Sequence, residues 1–177
     1  MAEAADEALE GGPRVCDTGW PAVRRGWDWK SGEGLLGIDD FAEWDAAFER
    51  GEGSLGTAAI GLASNCPLAE ASPRIIRAMR LTDPHQRGFA FTAAGTAARL
   101  NNELTPELYE ALRAEGRGGF AENAIRDTLT FVPFRKLTPW FKWQLVRTTV
   151  VDKLDAWRLT ATDTAEEAWK ALRRRRS

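Results

Sequence analysis

The chain has 177 residues, of which 44% are hydrophobic and 28% are charged, and its formal net charge is -2. This length and composition fit one globular domain with a sizeable core, and they exclude a wholly disordered chain. A near-neutral charge also disfavours a protein that grips a nucleic-acid backbone, because such proteins present a strongly basic surface.

The cysteine and histidine content and the lack of long hydrophobic runs exclude further classes of protein. Cys16 and Cys66 lie fifty residues apart with no CxxC pair, and His85 is the single histidine, so we expect two free thiols and no metal site. The acidic first twelve residues do not resemble a secretion signal, and no stretch approaches the ~20 apolar residues of a membrane span. We therefore expect a soluble cytoplasmic protein without a cofactor or membrane contact.

The first segment, residues 1–37, is predicted to be a non-helical arm that is partly flexible. Trp20, Trp27 and Trp29 fall within ten residues and are flanked by glycine and proline, which does not favour a helix. Trp27 and Trp29 are either interface aromatics that contact a partner, or part of an arm that packs over the first helices. We favour the packed arm, with residues 1–12 frayed.

After the arm, a helix-pair unit recurs about every thirty-three residues. Ser72-Pro73, Thr105-Pro106 and Thr138-Pro139 each combine a capping hydroxyl with proline at the first helical position. Thirty-three residues before Ser72, Asp39-Asp40 offers another helix cap, with Glu43 placed to close a capping box. Apolar residues at equivalent positions predict the same buried stripe on each first helix: Ala42, Ala46, Ile75, Met79, Leu108, Leu112, Phe141 and Leu145.

The second helices share the letters GFAxxA at residues 88–93 and 119–124, and their small residues allow helices to approach closely. On the first of these helices, Phe89, Ala93, Ala97 and Leu100 form a stripe, and Phe91 lies off it. Glycine and asparagine mark the helix ends. The predicted helices cover 39–50, 54–64, 73–81, 84–100, 106–115, 120–132, 139–158 and 163–174.

Residues 83–100 resemble the HEAT-repeat pattern, in which an aspartate in the turn and an arginine early in the second helix precede a small-residue helix. Asp83 and Arg87 occupy those places, and we expect them to cap the helix and to pair with each other. The resemblance is partial at 105–132, where Gly116 replaces the aspartate. It implies an all-α fold over 38–177, a right-handed superhelical stack of about four antiparallel helix pairs, with atypical units at the ends.

In HEAT-like stacks the second helices usually line the concave face, so the resemblance places partner contacts there. We expect exposed contact residues on these helices, with Phe91 as an apolar ring beside Arg99: Arg87, Phe91, Arg99, Glu122, Asn123, Arg126 and Asp127. Their mixed charges argue against a groove that follows phosphates. His85 has no partner nucleophile in a recognisable motif, so no catalytic residue is assigned. Trp140, Trp143 and Trp157 are interpreted as core and cap, and Arg173 to Arg176 as a solvated tail.

Small HEAT-like proteins of this size are similar to bacterial immunity proteins, which neutralise a cognate toxin by binding it. The leading hypothesis is therefore a non-enzymatic protein-binding module of this kind, whose partner is a toxin domain. The alternatives are a DNA glycosylase-type enzyme on a HEAT-like scaffold, using Asp127, Trp140 and Trp143, and a scaffold or assembly protein. The sequence leaves the partner and the oligomeric state open.

Overall fold

The computed structural model describes residues 26–150. Residues 1–25 and 151–177 lie outside the described residues. So do the expectations for Cys16, Trp20 and Trp157, for the frayed residues 1–12, for the predicted helix over 163–174, and for the basic run at Arg173 to Arg176.

The described part of the chain is helical and contains no strand, which confirms the all-α prediction. Six helices have both ends within it, and a seventh, α7, runs from 139 to 150, where the description ends. Two short 3-10 turns cover Leu35–Gly37 and Phe134–Lys136. The six complete helices are α1 Phe41–Arg50, α2 Leu55–Asn65, α3 Leu68–Ala78, α4 Pro84–Asn101, α5 Pro106–Glu115 and α6 Glu122–Phe131.

Three of the helix starts use the predicted caps. The Asp40 carboxylate accepts hydrogen bonds from the backbone amides of α1, Asp83 accepts one from the backbone N–H of His85, and Thr105 accepts one from Leu108. These side chains satisfy N–H groups that have no partner within the helix. At the other ends, Gly51 and Asn102 adopt left-handed backbone conformations, with φ of 70° and 52°.

The predicted start of α3 at Ser72-Pro73 was wrong. The helix begins five residues earlier than Pro73, at Leu68, and Pro73 lies inside it. Leu68 and Ala71 pack against the core, and this burial offsets the backbone hydrogen bond that proline cannot donate. The buried Ser72 hydroxyl instead lies 3.2 Å from the Thr105 hydroxyl, so the repeated Ser/Thr-Pro pair marks a contact between neighbouring units.

The predicted buried stripe holds in the later units but fails in α1. Ile75, Leu108 and Phe141 are fully buried, whereas Ala42 and Ala46 are exposed. The buried residues of α1 are instead Trp44 and Ala47. Trp44 precedes the buried Ile75 by thirty-one residues, so the thirty-three-residue spacing does not locate the buried positions of α1.

The second helices contact one another in series, α2 against α4 and α4 against α6. Glycine permits this approach: a Cβ at Gly56 would overlap the Gln86 carbonyl oxygen, and one at Gly95 would lie 2.7 Å from the Asp127 carboxylate. The Gln86 side chain also crosses to α2, where its Oε1 accepts hydrogen bonds from the Gly56 and Thr57 amides at 2.9 and 3.3 Å. Ser54 makes no such bond, so α4 caps α2.

The segment before α1 lies against the first two helices. Leu35 and Ile38 are fully buried, and Trp29 is 8% exposed, with its indole Nε1 donating to Glu43 at 3.1 Å. Asn65 at the end of α2 donates to the carbonyl oxygens of Leu36 and Ile38. Within residues 26–150, no helix combines the length and the apolar character that crossing a bilayer requires.

Candidate partner-binding surface

The solvent-facing side of α4 and α6 carries the exposed residues of the second helices. On α4 these side chains recur every three or four residues, which places them on one helix face. On α6 the exposed positions begin at Asn123 and end at Phe131. We call this surface the α4–α6 face and define it by Phe89, Arg99, Leu100, Asn123, Arg126 and Phe131.

Arg87 does not form the predicted ion pair with Asp83. Its guanidinium contacts the Glu115 carboxylate at 3.2 Å, and it lies 4.7 Å from the centroid of the Phe120 ring. Glu115 is the last residue of α5, so Arg87 ties the start of α4 to the end of the next helix. This contact holds Arg87 in a half-buried position, where it supports the neighbouring unit.

The expectation that Phe91 is exposed was also wrong. Phe91 is 3% exposed and its ring stacks against Phe120 at a centroid distance of 6.4 Å. Two residues of the stripe that was expected to be buried on α4 are instead exposed, Phe89 by 41% and Leu100 by 58%. Since α4 lies between α2 and α6, both of its flanks are buried, and Phe91 belongs to the flank that faces α6.

The charged candidates form pairs of opposite sign along the face. Arg99 Nε lies 3.7 Å from Asp127 Oδ2, joining α4 to α6. Glu122 contacts Arg117 at 3.1 Å and Arg126 at 3.8 Å. The hydrogen bond from Arg117 lowers the pKa of Glu122 below its ordinary value, with further help from the Gly118 backbone amide and despite partial burial.

Asn123 and Arg126 are exposed, and the Arg126 side chain is 71% exposed. The face therefore combines apolar side chains with mixed charges. The arm residues lie elsewhere: Trp29 is buried in the core and Trp27 is half-buried against it. Contact between Trp29 and a partner would require the arm to move.

Exposed apolar residues are the part of the face that sequence reasoning missed. Phe89 and Phe120 occupy the same position of the two GFAxxA segments and are each 41% exposed. Leu100 and Phe131, at the ends of α4 and α6, are 58% and 42% exposed. The repeated phenylalanine was a usable signal, but a periodic apolar residue does not reveal which flank the neighbouring helices cover.

Two grooves lie near this face, and the second shares Arg126 with it. A groove of about 610 Å³ between α3 and α5 has an apolar floor that includes Ile76 and Ala111. A smaller cavity of about 330 Å³ between α6 and α7 is lined partly by Arg117, Arg126 and Thr148. Among the described residues, no group of three or more His, Cys, Asp or Glu side chains is placed to hold a metal ion.

The residues assigned to the alternative enzymatic hypothesis have separate contacts. Asp127 pairs with Arg99, Trp140 packs edge-on against Phe141, and Trp143 is 56% exposed beneath Arg147. His85 is exposed in the first turn of α4.

Comparison with known proteins gives no relative for this chain: no family model, no curated protein and no solved structure matches it.

Proposed function

We propose that this chain is a non-enzymatic protein-binding module whose partner docks on the α4–α6 face. The observation that carries the proposal is the combination of exposed apolar side chains, chiefly Leu100 and Phe131, with charged residues of both signs between them. Apolar anchors surrounded by polar groups are typical of protein interfaces. Because Asp127 and Glu122 lie beside Arg99 and Arg126, the α4–α6 face has no excess of positive charge that would favour a nucleic-acid backbone.

The finer architecture belongs to the same proposal. The contacts of α2 with α4 and of α4 with α6, together with those of α1 with α3 and of α3 with α5, support a HEAT-like stack, which we propose to be right-handed. Two polar contacts between residues thirty-three apart, Thr105 with Ser72 and Lys136 with Glu103, also fit repeating units. In such a stack the α4–α6 face would be part of the concave surface.

In its most specific form, the proposed module is a bacterial immunity protein that acts in the cytoplasm by binding a toxin domain. Its support is the resemblance of residues 83–100 to a HEAT unit and the similarity in size and style to HEAT-like immunity proteins. Cells that express this chain should survive a toxin encoded beside it. Normal killing of those cells would refute the immunity form and leave the broader binding role to be tested separately.

Two matched leucines test the binding face. Leu100 and Leu36 are 58% and 59% exposed, and Leu36 lies in the 3-10 turn beside α2, outside the α4–α6 face. A partner recovered by affinity purification would be titrated against Leu100→Glu and Leu36→Glu by calorimetry. Leu100→Glu should weaken binding about tenfold or more, because it replaces an exposed apolar side chain of the proposed interface by a charged one. Leu36→Glu should bind like the parent, and equal effects of both variants would contradict the assignment.

A further inference from the structure

The last described helix presents a second surface of different chemistry. Trp143, Val146 and Val150 are spaced i, i+3 and i+7, so they share one side of α7, and they are 56%, 56% and 50% exposed. Lys142 and Arg147 lie beside them. We call these five residues the α7 face.

Cations around the α7 face lie on aromatic rings. The Arg147 guanidinium is 5.5 Å from the centroid of the Trp143 ring, and the Lys142 ammonium is 5.3 Å from that of Phe134. Phe134 is itself 56% exposed. In the part of the chain that the structure describes, neither Lys142, Arg147 nor the nearby Arg135 lies within 4.0 Å of a carboxylate. Among residues 26–150, no carboxylate neutralises the positive charge on this apolar surface.

The sequence gives the same asymmetry. Residues 128–151 contain no Asp or Glu and four basic residues, of which Lys136 pairs with Glu103. An occupant of the α7 face should therefore be both apolar and acidic, because it must cover the aliphatic stripe and neutralise the cations.

One segment of this chain has those properties. Residues 1–10 carry four acidic residues and no Lys or Arg. In a helix that formed only on docking, at about 100° per residue, the acids at positions 3, 6, 7 and 10 would fall on one side, and Met1, Ala4 and Ala8 would fall on the opposite side. We propose that residues 1–10 dock on the α7 face of the same molecule.

A second amphipathic segment of the sequence, residues 163–176, has the wrong charge for this surface. Residues 163–176 include an apolar stripe, Ala165, Ala168, Trp169 and Leu172, but they carry five basic and three acidic residues, a net charge of +2. Placing them on a basic surface brings like charges together, which is unfavourable. Charge therefore selects residues 1–10 over 163–176.

The chain is long enough for the contact. Fifteen residues, 11–25, connect the acidic segment to Gly26, and an extended linker of that length spans about 50 Å. Three steps between neighbouring helices, from α2 through α4 and α6 to α7, cover roughly 30 Å. The proposal does not depend on the function assigned to the α4–α6 face.

Zero-length carbodiimide crosslinking of the full chain tests this contact. It should join the Lys142 amine to a carboxylate among Glu3, Asp6, Glu7 and Glu10, in the monomer, as mapped by mass spectrometry. The yield should fall about tenfold in 1 M salt, because the Debye length shortens to about 3 Å. Crosslinks only in covalent dimers, or only from Lys142 to Asp163, Glu166 or Glu167, would overturn the proposal.

Hydrogen exchange of residues 142–150 provides a second readout. Replacing the four acids of residues 1–10 by Asn or Gln should increase the exchange rate there. Neutralising Asp163, Glu166 and Glu167 is the matched control and should leave it unchanged. In a charge-reversal test, Arg147→Glu and Glu7→Arg should each speed the exchange of residues 142–150 when made alone. The double variant should restore the slow exchange of the parent. Unchanged exchange in the four-acid variant would overturn the proposal.

Discussion

At the scale of single residues, close contact between helices leaves no room for a side chain at some glycines. Gly56 lies where α2 meets the backbone of α4, and an added Cβ would overlap the Gln86 carbonyl oxygen. Because the obstacle is backbone, no side-chain rotation can relieve the overlap. Gly37, in contrast, has no heavy atom within 4 Å of the position where its Cβ would lie.

Gly56→Ala should therefore lower the free energy of unfolding by about 1–3 kcal/mol or more, as expected for overpacking. Gly37→Ala is the matched control and should change it by no more than about 0.5 kcal/mol. Urea unfolding followed by circular dichroism measures both. Equal stability of the two variants would contradict the close approach of α2 and α4.

Glu122 gives a pH-dependent contribution whose direction follows from its lowered pKa. A carboxylate with a folded pKa below its unfolded value stabilises the fold above the unfolded pKa, and the effect is lost as pH falls through the folded pKa. Glu122→Gln should thus be less stable than the parent at about pH 7, and the difference should disappear as pH falls through the folded pKa of Glu122. Thermal unfolding at several pH values measures this, and a constant difference would argue against the Arg117 contact.

At the scale of helices, α1 and α3 are joined by a charged network. The Asp45 carboxylate contacts Arg74 at 2.6 Å and Arg77 at 3.0 Å, and Arg77 also reaches Glu49 at 2.9 Å. The Arg77 guanidinium lies 4.0 Å from the centroid of the Phe48 ring. One carboxylate thus fixes two cations that also cover aromatic rings of α1.

Asp45→Ala should cost about 1 kcal/mol, the upper end for exposed pairs, because two pairs of a network are lost together. The cost should shrink in 1 M salt. Glu110→Ala serves as the control, since its pair with Arg113 is exposed and spans 3.5 Å, so its loss should be close to neutral. Denaturant melts at low and high salt distinguish the two, and a salt-independent loss would point to packing instead.

Local chemistry explains which parts of the helices were predictable. Asp40, Asp83 and Thr105 cap their helices as expected, because capping depends on a few adjacent residues. The start of α3 was missed because burial of Leu68 outweighs the signal at Pro73. Propensity and capping describe one helix alone and cannot register what a neighbouring helix covers.

The candidate site was predictable to the same limited degree. The second helices were correctly named as the place where charged residues such as Arg99 and Arg126 are exposed. The sequence did not predict that Phe89 would be exposed and Phe91 buried, because both sides of α4 carry apolar residues. Likewise, the pairing of Arg87 with Glu115 joins residues twenty-eight apart and depends on how two units stack.

At the scale of the whole molecule, α4 holds the central position. It contacts α2 on one side and α6 on the other, and it also contacts α3. Its residues Ala93, Ala94, Ala97 and Ala98 are fully buried. Among the described elements, α1 contacts mainly α2 and α3, and we expect it to be less stable than α4.

Amide hydrogen exchange should reveal this difference. The amides of residues 93–98 should exchange slowest, at least about tenfold slower than those of α1, because their exposure requires the most extensive unfolding. Exchange that is uniform over all helices, or slowest in α1, would show that the chain unfolds as one unit or from a different centre. Mass spectrometry of peptides from each helix makes the comparison.

The first helix pair depends on the next one for its cap, because the Gln86 side chain accepts the hydrogen bond from the first turn of α2. Residues thirty-one and thirty-three positions further on are Arg117 and Gly119, and neither side chain has an amide oxygen to offer. Deleting one helix pair would therefore leave the first pair without its cap. A chain shortened by one helix pair would thus need a compensating substitution at the new junction.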